Sequence, residues 1–272
     1  MLRRGEAWMR DTFLFGKNWQ RFLRSCVAEE RVKDAANSLR EFLGMPSLEG
    51  KSFLDVGAGS GLFSYAAYKL GAASIASFDA DAFSVACCEY LRDHAGKPSN
   101  WTVLEGSILE ESFIGQLKPA DVVYAWGVLH HTGALWAALR NADRLMKPGG
   151  FLYIAIYNKT ALSRFWLAEK RFYNKCPRPI RWVIECAFMM LSVAKKAVRL
   201  RNPLREIVNY GKGRRGMSWR TDITDWLGGY PYEFATAGEV FVFCRRELGL
   251  ELRNLKTTNG RGNNEFLFQK PL

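Results

Sequence analysis

With 272 residues, 48 % of them hydrophobic and 24 % charged, the chain has the apolar content of one α/β domain with an insertion, not of a disordered or fibrous protein. Its six cysteines, Cys26, Cys87, Cys88, Cys176, Cys186 and Cys244, form no CxxC pair and have no histidine at ligand spacing, so the pattern argues against a metal site and fits reduced thiols in a cytoplasmic protein. The charged residues 1–10 lack the apolar stretch of a signal peptide, no run of about 20 apolar residues exists to span a bilayer, and the net charge of +12 points toward an anionic partner.

In chain order, residues 18–43 carry a helical pattern that ends at Gly44, with Pro46 just beyond. From Lys51 to Tyr157 apolar runs alternate with helical patterns. The runs at 52–56, 74–78, 101–104, 121–126 and 151–157 read as strands, and the stretches near 61–70, 82–94, 110–116 and 134–146 as helices. Such alternation implies right-handed crossovers and a parallel sheet covered on both faces. Lys147-Pro148-Gly149-Gly150 reads as the stop between the last of these helices and the next strand. Residues 159–235 interrupt the alternation and form an insertion. Beyond it, 237–248 is an amphipathic helix ending near Gly249. Two strands follow, 251–257 and 265–269, joined as a hairpin through Asn259-Gly260-Arg261-Gly262, and they close the sheet with an antiparallel edge strand. No internal repeat or low-complexity tract is present.

The chemistry concentrates after the strands. Phe53-Leu54-Asp55-Val56-Gly57-Ala58-Gly59-Ser60-Gly61 is a buried strand, an acidic residue and a G-x-G-x-G loop that opens a helix. Glycines there allow a tight turn and close approach of a ligand to the backbone. A dinucleotide loop needs its third glycine at position 62, which is Leu, and Asp55 repels a pyrophosphate; a carboxylate suits a cationic ligand end. Asp79 ends the next strand, near the spacing at which an acidic residue meets a ribose diol. Glu105-Gly106-Ser107-Ile108 follows the third strand, where a small polar side chain and a backbone N–H can read an adenine edge. Trp126-Gly127-Val128-Leu129-His130-His131-Thr132 follows the fourth. All four stretches lie at carboxyl ends of strands, the ligand-binding edge of an open α/β sheet.

Asp55–Gly61, Asp79, Gly106–Ile108 and Val123–Thr132 resemble the ordered motifs of class I S-adenosylmethionine (SAM)-dependent methyltransferases. The resemblance covers about residues 50–158, with the terminal helix and hairpin in the expected places. Phe15–Trp19, Trp126–Thr132, Ile154–Asn158 and Asp225–Tyr232 are closer still to a bacterial group of small-molecule-type methyltransferases. The resemblance implies a Rossmann-like seven-stranded class I methyltransferase fold: a parallel sheet with an antiparallel last strand, plus a mostly helical insertion. It also implies SAM as cofactor. Asp55, Gly57 and Gly59, with Gly61, then line the methionine end, Asp79 holds the ribose, Ser107 and Ile108 meet the adenine, and Trp126 borders the site. Ser107 departs from the family, where many members carry Asp. The chain divides into a helical lid at 1–50, with Phe15–Trp19 folding over SAM, a SAM-binding core at 51–158, a basic acceptor lid at 159–235, and a helix and hairpin at 236–272 that complete the core.

Methyl transfer from a sulfonium needs a base only where the nucleophile must lose a proton. His131, or its neighbour His130, is the candidate base; the bland alternative is a histidine that caps the following helix or packs inside. No Asn/Asp-Pro-Pro-Tyr/Phe run and no Pro-Cys follows the fourth strand, which leaves an oxygen acceptor by elimination, on a small molecule, perhaps lipid- or sugar-linked. Tyr157, Asn158, Asp222, Asp225 and Tyr232 are the polar candidates for the acceptor wall, the last three on what reads as a loop. Residues 159–220 hold 16 Lys/Arg against three Asp/Glu, and the apolar run 182–194 lies inside this block. It reads as a lid helix or as a segment lying peripherally on an anionic membrane. RNA is a weaker candidate partner, since no RNA-binding module flanks the block. A non-catalytic SAM-binding protein on the same fold is the reading from a different class.

Overall fold

Alternate side chains of a strand face opposite sides of a sheet, and here both sides are apolar. In the computed structural model, which describes residues 29–198 and 219–272, seven strands form one sheet: β1 (Ser52–Val56), β2 (Ser74–Asp79), β3 (Trp101–Glu105), β4 (Ala120–Trp126), β5 (Met146–Tyr157), β6 (Glu251–Lys256) and β7 (Asn263–Gln269). Their order is β3-β2-β1-β4-β5-β7-β6. β1 to β5 pair parallel, and β7 pairs antiparallel with both β5 and β6. The antiparallel strand therefore lies one place in from the edge, which β6 occupies.

Leu54, Val56, Val123, Leu152, Ile154 and Phe266 point to one face. They pack under α4 (Glu111–Ile114), α5 (Leu135–Arg144) and α9 (Ala237–Arg246). Phe53, Val122, Tyr124, Tyr153 and Leu267 point to the other. They pack under α1 (Glu29–Leu43), α2 (Leu62–Lys69) and α3 (Ala82–His94). α9 begins with a capping box between Thr236 and Glu239, which satisfies its first backbone donors.

Two expectations are corrected. Lys147–Gly150 does not stand outside the sheet: β5 starts at Met146, opposite Ala120, and the Pro-Gly-Gly segment bulges before pairing resumes at Phe151 opposite Val122. The stretch holding Asp222 and Asp225 is not a loop. It is α8 (Trp219–Gly228), because Ile223 and Leu227, four residues apart, pack on Tyr173 of α6 (Ser163–Lys175). The C-terminal carbonyls of α8 are met from α6, Trp226 O by the Lys170 ammonium and Gly228 O by the Asn174 amide at 2.8 Å. The apolar run becomes α7 (Arg178–Val198), whose Ile184, Phe188 and Met189 join the same small core.

Phe15–Trp19 lies outside the described residues. From Glu29 onward the N-terminal segment packs as core: Val32, Ala35, Ala36, Leu39 and Leu43 are buried on one side of α1. Leu39→Ala is expected to lower stability by about 2–5 kcal/mol, read from urea unfolding. A loss well under 1 kcal/mol contradicts the placement of α1 in the core.

Candidate functional site

The sheet changes direction at β1, whose neighbours β2 and β4 lead the chain to opposite sides, and the crevice beyond these strand ends is where open α/β sheets bind ligands. The loop leaving β1 is forced into shape by glycine. Gly57 has φ +67°, and a Cβ there would stand 2.4 Å from Val128 Cγ1, beyond the end of β4. Gly61 has φ +79°, and its Cβ would stand 2.8 Å from Cys88 Sγ and 2.9 Å from Cys88 Cα on α3. No other residue type fits either position without moving a neighbour.

Strand parity decides where Asp55 points. It shares the face of Phe53, under α2, and its Oδ2 accepts from Ser64 Oγ of that helix at 2.5 Å. Ser64 Oγ lies 2.7 Å from Ser77 Oγ, and Ser77 Oγ accepts from the Trp101 indole N–H at 2.9 Å. An indole nitrogen can only donate, so the hydroxyl protons run one way, from Trp101 toward Asp55. The Asp79 carboxylate is held by the backbone: Gly59 N–H donates to Oδ2 and Asp81 N–H to Oδ1, each at 2.9 Å. Asp81 caps α3 through the Phe83 N–H. A carboxylate offers about four acceptor sites, so Asp79 keeps capacity for two hydroxyls.

Burial pushes Asp55 up to about 7, helped by the nearby Asp79 charge and opposed by the Ser64 bond. Burial likewise pushes Asp79 up to about 6, against the bonds from Asp81 and Gly59. Neither carboxylate is balanced by a lysine or arginine among the described residues. A buried Asp55 and a half-buried Asp79, neither with a counter-ion among the described residues and one beside a left-handed glycine loop, match a ligand with a cationic end and a vicinal diol, as SAM has.

Ser107 and Ile108 flank the crevice differently. Ser107 Oγ accepts from Leu109 N–H at 3.2 Å, while the Ile108 side chain enters the core and its carbonyl accepts from Asn141 at 2.8 Å. The Trp126 indole N–H donates to Glu265 of β7 at 3.0 Å, and Tyr153 OH donates to the same oxygen at 2.6 Å.

Beyond β4 a 3₁₀ turn, Leu129–His131, carries both histidines. The residues just before α9 clamp it. Glu233 N–H donates to His130 O at 2.9 Å, the Glu233 carboxylate accepts from Leu135 N–H at the start of α5, and His131 Nδ1–H donates to Pro231 O at 2.7 Å. A carbonyl can only accept, so this bond places the His131 proton on Nδ1 and the lone pair on Nε2. His130 is buried, and neither of its ring nitrogens makes a hydrogen bond of normal geometry. Burial drives its pKa well below the usual histidine value, aided by its neighbour His131 and opposed by the Ala155 backbone. Burial lowers His131 to about 4, against the Pro231 bond. Both rings are neutral at pH 7.

Tyr157, at the end of β5, links the histidines to the insertion. Its ring centroid lies 4.0 Å from His130, 5.4 Å from His131, 5.2 Å from Tyr232 and 5.8 Å from Trp226. Trp166 of α6 continues the row at 5.5 Å from Trp226, and the Arg261 guanidinium covers both indoles. The Lys170 ammonium sits 4.3 Å from the Trp226 ring and 5.1 Å from the Tyr232 ring. Asp225 is part-buried on α8, and the Asp222 side chain is outside the described residues. Asn158 faces the hairpin: its amide donates to Thr258 O and Gly260 O and its oxygen accepts from Asn264.

Sequence reasoning passed over Lys170, Glu233 and Arg261, and offered Trp166 only as a stacking residue of the basic block. Each acts across a separation of tens of residues, and no local pattern marks it. Among the described residues no three His, Cys, Asp or Glu side chains converge to hold a metal.

Comparison with known proteins assigns the class. Residues 28–227 match a family model described as a methyltransferase domain. A ubiquinone biosynthesis O-methyltransferase of Paramagnetospirillum magneticum is 31 % identical over 213 residues, 74 % of this chain and 83 % of that protein. Protein arginine N-methyltransferase 6 of Xenopus tropicalis is 26 % identical over 54 % of this chain and 47 % of its own length. The magnesium protoporphyrin IX methyltransferase of Synechocystis PCC 6803, solved with bound SAH, shares the fold with a TM-score of 0.54 at 14 % identity, covering 93 % of each chain. The chain belongs to the methyltransferase-domain family and is a class I SAM-dependent methyltransferase.

The carboxylates make a pH prediction. Unfolded, Asp55 and Asp79 titrate near 3.8; folded, near 7 and 6. Between these values the folded chain holds protons that the unfolded chain has released. Their stabilising contribution is complete below the unfolded pKa and is lost as pH rises through 6 and 7. The histidines act oppositely, but only below their unfolded value of 6.5. Cofactor-free protein is thus expected to melt at a lower temperature at about pH 8 than at about pH 6.5, with Asp55→Asn flattening the slope. Calorimetry checks this; an equal slope in the variant contradicts the assignment.

Proposed function

We propose that the chain methylates a hydroxyl oxygen of a small-molecule acceptor, with His131 as the base. The observation that carries this reading is the His131–Pro231 bond, which turns the Nε2 lone pair away from the backbone clamp on a ring that stays neutral at pH 7. SAM, when bound, supplies a methyl group activated on a sulfonium; as the acceptor oxygen bonds to that carbon, the C–S electron pair returns to sulfur. The protein's part is then to align the acceptor and remove one proton.

Asp55 and the Gly57, Gly59 and Gly61 loop hold the methionine end, Asp79 takes the ribose hydroxyls, and Ser107 with the Ile108 backbone borders the adenine. Trp126, tied to Glu265, closes the crevice on the β4 side. Tyr157, Trp226 and Tyr232 form the acceptor wall, with Asp225 and Asp222 on the helix behind it. Asn158 positions the hairpin that brings Arg261 to the wall. His130, buried and with no ring hydrogen bond of normal geometry, supports His131 by packing.

The low proton affinity of His131 bears on the acceptor. A base of pKa near 4 removes a proton efficiently only from an acidic hydroxyl, so a phenol or enol fits better than a sugar alcohol. The aromatic wall and the O-methyltransferase relative support the same choice.

Two variants separate the roles. Asp79→Ala removes a charged acceptor of two hydroxyl bonds, about 1.5–3 kcal/mol each, so SAM affinity measured by calorimetry should fall at least tenfold. Unchanged affinity contradicts the ribose assignment. His131→Ala should keep SAM affinity and lose about 10²–10⁴ in turnover, measured as S-adenosylhomocysteine release with fractionated cell extract. If no fraction supports release by the wild-type protein, the non-catalytic reading is favoured; if the variant turns over normally, His131 is not the base.

A further inference from the structure

We propose that the outer face of the α6–α7 hairpin docks on an anionic lipid bilayer, lying in its interface without crossing it. This is independent of which acceptor is methylated.

α7 is apolar around most of its circumference, yet only one side is covered. Ile184, Phe188 and Met189 pack on Tyr173, Ile223 and Leu227. The other side leaves Val183, Met190 and Leu191 58–69 % exposed, the last two being two helical turns beyond the first on one side of the helix, with Trp182 59 % exposed at its flank. α6 repeats the pattern: Phe165 and Phe172, seven residues apart, are each 60 % exposed, and Leu162 just before the helix is 58 % exposed. A monomer that keeps two such stripes in water is carrying an interaction surface.

The charges around them select the partner. Each of the two helices contains a single acidic residue, and both are turned inward. Glu185 of α7 accepts from Tyr173 OH at 2.6 Å, and both carboxylate oxygens of Glu169 of α6 are buried. The outward charges are all positive. Arg164, Arg171, Lys175 and Arg178 make no ion pair with an acidic side chain among the described residues. Beyond the exposed stripe the sequence continues Lys195-Lys196, Arg199 and Arg201. A second copy of this chain would set these cations against one another, whereas an anionic headgroup layer neutralises them while the stripes enter the acyl boundary. No described helix is long and apolar enough to cross the membrane, so the contact is peripheral.

The test is co-sedimentation of the full chain with vesicles of phosphatidylcholine alone and with about 30 % phosphatidylglycerol, at about 50 mM and about 500 mM salt. The anionic vesicles should bind at least tenfold more protein at low salt, and high salt should release it. Leu191→Glu combined with Met190→Glu, on the exposed stripe, should lower binding at least tenfold; Lys175→Glu with Arg178→Glu should remove the preference for the anionic lipid. Unchanged SAM affinity and melting temperature show that these variants are folded. Where a variant does not fold, the wild-type emission spectrum decides, because Trp182 entering the interface shifts it to the blue and Trp182→Phe removes that shift. The proposal is overturned if anionic vesicles pellet no protein at low salt, if the glutamates leave binding unchanged, or if the stripe variants instead dissociate a dimer on size exclusion. Retention on RNA without vesicle binding assigns the positive face to nucleic acid and overturns it equally.

Discussion

Two carboxylates placed side by side inside a protein repel each other and lose their hydration, and Asp55 and Asp79 stand in that situation at adjacent strand ends. What keeps them there is local. Ser64 donates to one, and the backbone of Gly59 and Asp81 donates to the other. The Gly59 contact requires the loop to fold back over β2, and that turn is available because Gly57 and Gly61 adopt left-handed conformations closed to other residues. The serine pair in turn needs a donor behind it, which Trp101 supplies from the neighbouring strand. The cofactor end is therefore one hydrogen-bonded unit running from β3 to the β1 loop. Among the described residues no lysine or arginine balances it.

The acceptor end is built by a different logic. Its central turn, Leu129–His131, is too short to hold a conformation by its own hydrogen bonds. Residues 231–233, a hundred positions later, hold it at both ends: Pro231 fixes the His131 ring and Glu233 fixes the His130 carbonyl while capping α5. The insertion is thus tied to the core at its exit as well as at its entry. The two histidines, adjacent in sequence, are divided by these contacts. His131 is oriented by a hydrogen bond, whereas the His130 ring is enclosed by other rings and makes no hydrogen bond of normal geometry. Orientation with a defined lone pair is what a base needs, and enclosure is what packing needs.

The sheet was legible because its information is local and periodic. Ala82–His94 has the boundaries that its pattern implies, and the strands carrying Asp55 and Asp79 lie where their apolar runs do. Local reading failed where a distant partner overrides it. Lys147–Gly150 has the composition of a stop, yet Met146 before it finds Ala120 to pair with. The Asp222–Gly228 stretch looked like a loop for its glycines and aromatics, yet Ile223 and Leu227 find Tyr173, and Lys170 and Asn174 meet its last carbonyls. Asn158 follows a strand at the ligand-binding edge, and its amide is nevertheless engaged by the hairpin. The glycine loop and Asp79 could be found by spacing alone. Glu233 and Arg261 could not, since their places depend on contacts that only the folded chain creates.

This difference explains why the cofactor is easier to read than the acceptor. Every group at the cofactor end comes from strands and loops between Asp55 and Trp126 that follow one another in order, so their chemistry and spacing appear together in the sequence. The proposed acceptor wall draws on the end of β5, on α6, on α8 and on the β6–β7 hairpin, four segments separated by helices that pack elsewhere. A substitution in any one of them reshapes the wall without touching the carboxylates. A fold arranged in this way can change acceptor while keeping its cofactor, and relatives named for oxygen and for nitrogen methylation are consistent with that freedom. The same partition leaves the outer surface of α6 and α7 unconstrained by catalysis, since the inner faces of these helices meet the wall and the small core around Tyr173. An exposed apolar and basic surface there carries a cost in solubility, which contact with a partner offsets.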